Sequence, residues 1–170
     1  VLIPAGEFVM GTAEEQIEKL LKKYPDLKRE WLEWEKPAHK VWLDAFFMDQ
    51  YLVTNAQYAE FLNEWGKDKD EAGQPMIYEH EWGVHKSKHR WESQPGFEKH
   101  PVVYVTWYGA QQYARWAKKQ LPTEAQWEKA ARGGKALEFG TQDGTLTPQL
   151  ANYAESKIGK TTPVGKYPPN

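Results

Sequence analysis

The sequence predicts an α+β fold rich in loops, and three observations point to it. Short helical stretches begin with one repeated device, a threonine followed three residues later by Gln or Glu, as at Thr12/Glu15, Thr54/Gln57 and Thr123/Gln126. Strand-like stretches rich in apolar and aromatic residues lie between them. Runs of Gly, Pro, Thr and charged residues without periodicity separate the two kinds of segment.

Residues 2–10 read as a strand interrupted by the Pro4-Ala5-Gly6 turn. Residues 12–24 read as a helix, with Ile17, Leu20, Leu21 and Tyr24 on one face and Pro25 ending it. A second short helix over 27–35 carries Trp31 and Trp34. Residues 14–35 are dense in charges of both signs, which predicts a solvated helix face with intrahelical ion pairs. Residues 39–50 form an aromatic-rich strand. Thr54 then caps a helix whose inner face is Tyr58, Phe61, Leu62 and Trp65, and Gly66 closes it.

The polar segment 67–99 reads as a long surface loop. An apolar strand is expected over 102–105, followed by a helix capped by Thr106 with Ala110, Tyr113, Ala114 and Ala117 facing inward. The stretch LPTEAQWEKAARGG (121–134) specifies one more helix. Thr123 and Gln126 cap it, Glu124 suits the helix dipole, and Gly133 and Gly134 give a left-handed exit. Trp127 is its one large apolar anchor, so the stretch reads as a packing element.

Composition narrows the function classes. With 170 residues, 40% of them hydrophobic, the chain can bury a core of about one domain. Nine Trp and nine Tyr predict a core rich in rings whose polar edges need partners. A net charge of −2 provides no basic field for nucleic acid or an anionic membrane, and no apolar run approaches a membrane span. The absence of Cys excludes disulfides, thiolate metal sites and cysteine nucleophiles from this chain and leaves the compartment open. The sequence opens inside a strand with no Met start, from which preceding residues are expected.

Four stretches in order carry a resemblance: IPAGEFVMGT, PAHKVWLDAFFMDQYLVTNAQYAEFLN, HPVVYVTWYGAQQYARWAKKQLPTEAQWEKAARGG and ANYAESKIGKTTPVGKYPPN. Together they resemble the formylglycine-generating enzyme, or sulfatase-modifying factor, family. The resemblance implies a C-type-lectin-like fold of the formylglycine-generating-enzyme type, present here as an N-terminal portion and incomplete at the C-terminus. It implies one domain over 1–170, with a helical insert near 13–35 and the long loop at 67–99 lying outside the match. The family domain continues past the Pro168-Pro169-Asn170 point, and its copper-binding cysteines lie in that further half. Ala114 stands where relatives often carry Cys. A polypeptide cut at this point is expected to be unstable alone and to need a second polypeptide or the missing C-terminal segment.

The resemblance places a calcium site at Asn152 and Tyr153, through an Asn side chain and the next carbonyl. Glu155 and Ser156 are nearby oxygens and Asp143 a more distant one. Calcium takes six to eight oxygen ligands, so this is the right chemistry; a turn stabilised by Asn152 explains the same residues. Copper or iron is not supported. His80, His85, His89 and His100 have the residue type for a transition metal, but a polar loop explains them as well. The iron histidines of the family's non-haem iron relatives come from a preceding domain. His39 reads as structural. Trp82 and Trp91, in the loop, would mark a contact surface if exposed.

Three functions follow. The domain is a non-catalytic scaffold or binding subunit of a larger assembly. Alternatively it is part of an oxidase that converts a target cysteine to formylglycine, completed by a C-terminal half or second chain. As a second alternative it is a non-haem iron sulfoxide-synthase-type relative. Without Cys the chain is not competent alone for copper and thiol oxidase chemistry. The resemblance also implies an exported, extracytoplasmic location.

Overall fold

Two strands expected over 2–10 and 39–50 each break in two, and the halves pair with one another. In the computed structural model, which describes residues 1–133 and 137–169, β1 (Leu2–Ile3) pairs antiparallel with β4 (Phe46–Phe47). β2 (Gly6–Met10) pairs antiparallel with β3 (His39–Leu43), from Gly6 opposite Leu43 to Met10 opposite His39. The break after Ile3 falls at the expected turn, where Gly6 takes φ +147. With its helices and small antiparallel sheets the protein is α+β.

The chain divides into two compact units, Val1–Met48 with Pro122–Gly140 and Asp49–Leu121 with Thr141–Asn170. In the first, α1 (Glu14–Lys23), α2 (Arg29–Leu32) and a single 3-10 turn (Glu33–Glu35) link β2 to β3. The helix expected over 27–35 is therefore two shorter pieces, and Trp31 and Trp34 both point outward, Trp34 being 92% exposed. Ile17 and Leu32 are the buried apolar residues of this segment. The expected capping box at Thr12 does not form. Ala13 is the N-cap, and its N–H donates to Gln16 Oε1. Thr12 is instead buried, its hydroxyl donating to Glu35 Oε2 at 2.6 Å and its N–H to the Glu35 carbonyl at 2.9 Å. A long-range partner has outcompeted the local one. Gly11 explains the closeness: at φ +82 it lies so near the Glu35 and Pro37 carbonyls that a Cβ would collide with both. The ion pairs run mostly between elements, Arg29 to Glu14 and Glu18 and Lys36 to Glu14, with Arg29–Glu33 and Lys36–Glu33 local.

In the same unit, α5 (Glu124–Arg132) forms with the expected Thr123/Gln126 box and a left-handed exit at Gly133; Gly134 lies outside the described residues. Its anchor is not Trp127, which is 62% exposed. The buried residue is Lys129, whose ammonium donates to the Gly6 carbonyl at 2.9 Å. Glu128 accepts from the Gly11 N–H at 2.8 Å, and Arg132 donates to the Gly11 carbonyl at 3.1 Å while pairing with Glu128. The helix grips both ends of β2 through charges satisfied by backbone dipoles.

The second unit centres on α3 (Asn55–Trp65), α4 (Trp107–Trp116) and the hairpin β5 (Val84–Ser87) with β6 (Arg90–Ser93). Thr54 and Gly66 cap α3 as expected. Tyr58, Phe61 and Leu62 are at most 1% exposed and pack with Met76, Ile77, Val84 and Trp91. Rings dominate: Tyr58 meets Phe61 edge-on at 5.2 Å and stacks on Tyr113 at 5.6 Å. Four of these core residues belong to 67–99, so that segment is not a surface loop throughout. It contains a hairpin and supplies half the core. Trp91 is accordingly buried and is no contact surface. The expected strand at 102–105 is replaced by isolated bridges, Thr54 to Pro101 and Ile77 to Val105, with Tyr104 at φ +59 between them. On α4 the buried positions are Gly109, Gln112 and Ala114, with Tyr113 partly buried. The inward face is thus turned relative to the expected Ala110/Ala117 stripe because Gly109 lies against the Met76 carbonyl and Tyr58 hydroxyl.

Candidate functional site

Asn55, at the start of α3, organises the surroundings of the site. It is fully buried. Its backbone N–H donates to the His100 carbonyl, and its carboxamide N–H groups donate to the Trp82 and Phe97 carbonyls at 2.8 and 2.9 Å. Two loops are thereby fixed, one bearing Trp82 and the other running from Phe97 to His100. The second loop holds the tail: His100 Nδ1 meets Thr161 Oγ1 at 2.8 Å, and the Val164 N–H donates to the Lys99 carbonyl at 2.9 Å. Burial, and next the nearby Lys160, lower the His100 pKa.

The tail folds back on itself. The Ser156 hydroxyl donates to the Ala151 carbonyl and accepts from the Tyr153 N–H, closing a turn around the 3-10 segment Ala154–Ser156. Asn152 Nδ2 donates to the Lys160 carbonyl at 2.9 Å. Between this tail and Trp82 lies an open pocket of about 460 Å³, walled by Trp82, Asn152, Tyr153, Lys157, Lys160 and Thr161 among others. The residues that line it are of types suited to binding and orienting a ligand: lysine, asparagine, tyrosine, threonine and tryptophan.

Of the expected calcium residues, Asn152 and Tyr153 are brought to this pocket. Glu155 is exposed and accepts from the Tyr153 hydroxyl at 3.2 Å. Burial, with Glu155 beside it, raises the Tyr153 pKa. Asp143 is held by the Thr145 N–H and hydroxyl, which lower its pKa. Asn152, Tyr153 and Glu155 provide a carboxamide oxygen, a carbonyl and a carboxylate. That donor chemistry fits a hard cation, with the remaining ligands due from water or another part of the protein.

The histidines do not assemble. His80 stacks on Tyr104 at 4.3 Å and accepts from the Trp82 N–H. His85 lies on β5, His89 is exposed at the hairpin turn and His100 holds the tail. His39 contacts the Pro37 carbonyl at 2.8 Å, a structural contact. Among the described residues no group of three or more His, Cys, Asp or Glu is arranged to hold a metal. No helix among them is long and apolar enough to cross a membrane.

The sequence reading missed Asn55 as an organiser and Lys157 and Lys160 as pocket walls. Asn55 left one signal: a polar side chain at the first position of an otherwise apolar inner face, directly after a cap that needs no second polar residue.

The family profile described as sulfatase-modifying factor enzyme 1-like domain matches residues 1–170. A serine/threonine-protein kinase pkn1 of Chlamydia pneumoniae is 38% identical over 170 residues, 100% of this chain and 24% of that protein. A formylglycine-generating enzyme of Streptomyces coelicolor is 32% identical over 208 residues, 100% of this chain and 62% of its own. A hercynine oxygenase of Mycolicibacterium smegmatis is 31% identical, with 99% of this chain and 40% of that protein covered. Among solved structures, PvdO from Pseudomonas aeruginosa superposes with a TM-score of 0.65 and 27% identity over 100% of this chain and 63% of its own. The chain spans less than two thirds of the length of each.

Proposed function

The chain belongs to the family of sulfatase-modifying factor enzyme 1-like domains, and from that premise we propose that it is a non-catalytic binding and scaffold module within a larger protein or assembly. One observation carries the reading: none of the 170 residues is a cysteine. The chain's own side chains therefore supply no thiol to bind copper or to exchange with a substrate thiol. The residues that line the pocket carry amide, hydroxyl, ammonium and indole groups, which can hold a ligand without reacting with it. The relatives support a modular role, since their names span a kinase, a formylglycine-generating enzyme and an oxygenase. In this reading the domain is lectin-like, its 13–35 helices are an insertion, and the rest of the assembly covers what this chain leaves open. A native mass spectrum of the protein isolated from its source tests the last point. A larger chain or a bound second polypeptide is expected, and a lone 170-residue species would overturn it.

A calcium ion at Asn152, Tyr153 and Glu155 belongs to the same proposal. Bound there it would cross-link the tail electrostatically; the chain's own part is to orient the Asn152 amide through the Lys160 carbonyl. Linkage makes melting temperature the readout. Calcium is expected to raise it and a chelator to lower it, with both effects gone in Asn152→Ala; indifference of the unsubstituted protein to chelator would remove the ion from the account.

The second reading is a formylglycine-generating oxidase completed elsewhere, favoured by the match to the Streptomyces coelicolor enzyme across the whole chain. It requires cysteines in the completing part.

A further inference from the structure

We infer that the tail is an acid-released strap: protonation of the His100 ring frees residues 157–165 from the loop beneath them and parts the pocket that they form with Trp82. His100 is 7% exposed, and its Nδ1 meets Thr161 Oγ1 at 2.8 Å. Nearby, the Val164 N–H donates to the Lys99 carbonyl at 2.9 Å, and Lys160 lies over the Phe97 ring, 5.7 Å from its centroid. The tail thus rests on one loop, residues 97–100, at three points. That loop is fixed from its other side. Asn55 donates to the His100 carbonyl through its backbone N–H and to the Phe97 carbonyl through its carboxamide, and the Ala56 N–H donates to the Glu98 carbonyl. The tail has no comparable hold. Residues 157–165 form no helix or strand, and they turn at Lys157, Gly159 and Gly165, all at positive φ.

A neutral imidazole suits this place better than an imidazolium. Burial opposes the charge first and the Lys160 ammonium second; the Thr161 backbone and the Glu98 carboxylate favour it, and the opposition prevails. Lys160 from the tail and Glu98 from the loop are the charged groups that bear on the ring, and Asn55, which meets the loop from α3, is uncharged. A proton that binds better to the uncovered ring drives the uncovering by linkage. Departure of the tail removes the cover and Lys160 together, whereas departure of the loop would also break the Asn55 bonds, so the tail is what yields. The ring titrates lower under the tail than in free chain, where its pKa is about 6.5. The hold is therefore complete above that pH and weakens as pH falls below it. Trp82 stays in place, because Asn55 Nδ2 holds its carbonyl at 2.8 Å, and acid separates the two walls.

The strap goes beyond the binding-module reading and stands or falls without it. The test is hydrogen exchange of the Val164 amide, followed by ¹⁵N NMR on the whole protein from about pH 7.5 to 5 and corrected for the intrinsic exchange rate. Chelator is present throughout, so that no ion at Asn152 bears on the tail. Protection at Val164 should fall below about pH 6.5 by up to about tenfold per pH unit, the slope of one linked proton, while the Leu62 amide in the core keeps its protection. His100→Gln keeps a hydrogen-bonding group toward Thr161 and takes up no proton, so its Val164 protection should not change over this range. Lys160→Gln should lose less protection than the unsubstituted protein, because one of the two groups of effects opposing the charge is gone. Lys160 is exposed, so that variant decides the matter even where His100→Gln does not fold. Protection at Val164 that stays flat with pH, or falls as far in His100→Gln, would overturn the strap. An equal or greater loss in Lys160→Gln would overturn it too, as would a parallel loss at Leu62, which would mean that the core yields along with the tail.

Discussion

Asn55 shows how much one side chain can organise. It joins the start of α3 to two loops through three hydrogen bonds, and those loops carry Trp82 and the anchor of the tail. Replacing it with alanine leaves two carbonyls without donors in the interior, at a cost of about 2–4 kcal/mol. Urea denaturation of Asn55→Ala should show that loss, and a change under 1 kcal/mol would mean water replaces the amide. Gly109 is constrained in the opposite sense. A methyl group there meets the Met76 carbonyl and the Tyr58 hydroxyl, so Gly109→Ala should destabilise by roughly 2–3 kcal/mol despite its helix propensity. Tyr58 itself gives a pH signature. Burial raises its pKa above the ordinary tyrosine value. Its contribution is complete below the unfolded pKa, about 10, and is lost as pH rises beyond it. Denaturation midpoints taken from about pH 8 to 11 should fall more steeply for the unsubstituted protein than for Tyr58→Phe.

Helix α5 shows which parts of an element its own sequence reveals. Its caps were legible at Thr123, Gln126 and Gly133 because capping joins residues three or so apart, and the same holds for Thr54 and Gly66 on α3. Its docking was not legible. Trp127 was the natural anchor by hydrophobicity, yet the contacts run from Glu128, Lys129 and Arg132 to backbone atoms of Gly6 and Gly11. No periodicity marks a lysine that will find a carbonyl 123 positions away. Thr12 was misread for the same reason, its hydroxyl being taken by Glu35. The stretch 67–99 gives its core residues two at a time from separate places, Met76 and Ile77 from a short bridged segment and Val84 and Trp91 from a hairpin, so no window of the sequence displays a face. These contacts predict an order of effects. Lys129→Ala should cost about 1–3 kcal/mol, because it removes a charged donor to the Gly6 carbonyl, while Trp127→Ala should stay within about 0.5 kcal/mol. Equal losses in thermal denaturation would show that α5 docks through its tryptophan after all.

For the molecule as a whole, family membership was legible in four ordered stretches, and the profile match over 1–170 bears it out. Of the candidate site, the sequence yielded Asn152 and Tyr153 through resemblance. The pocket they help line depends on a tail folded back by Ser156 and on a loop positioned by Asn55, contacts too distant to read locally. The central claim concerns what such a chain contributes: oxygens, ammoniums and rings that hold, and no thiol that reacts. The most direct test gives the whole protein copper(I), oxygen and a peptide carrying the target cysteine, and follows the peptide by mass spectrometry. The account predicts that the cysteine persists at the rate of a copper-only control. Formylglycine accumulating with the protein and not with the control would contradict it and make this chain one half of an oxidase.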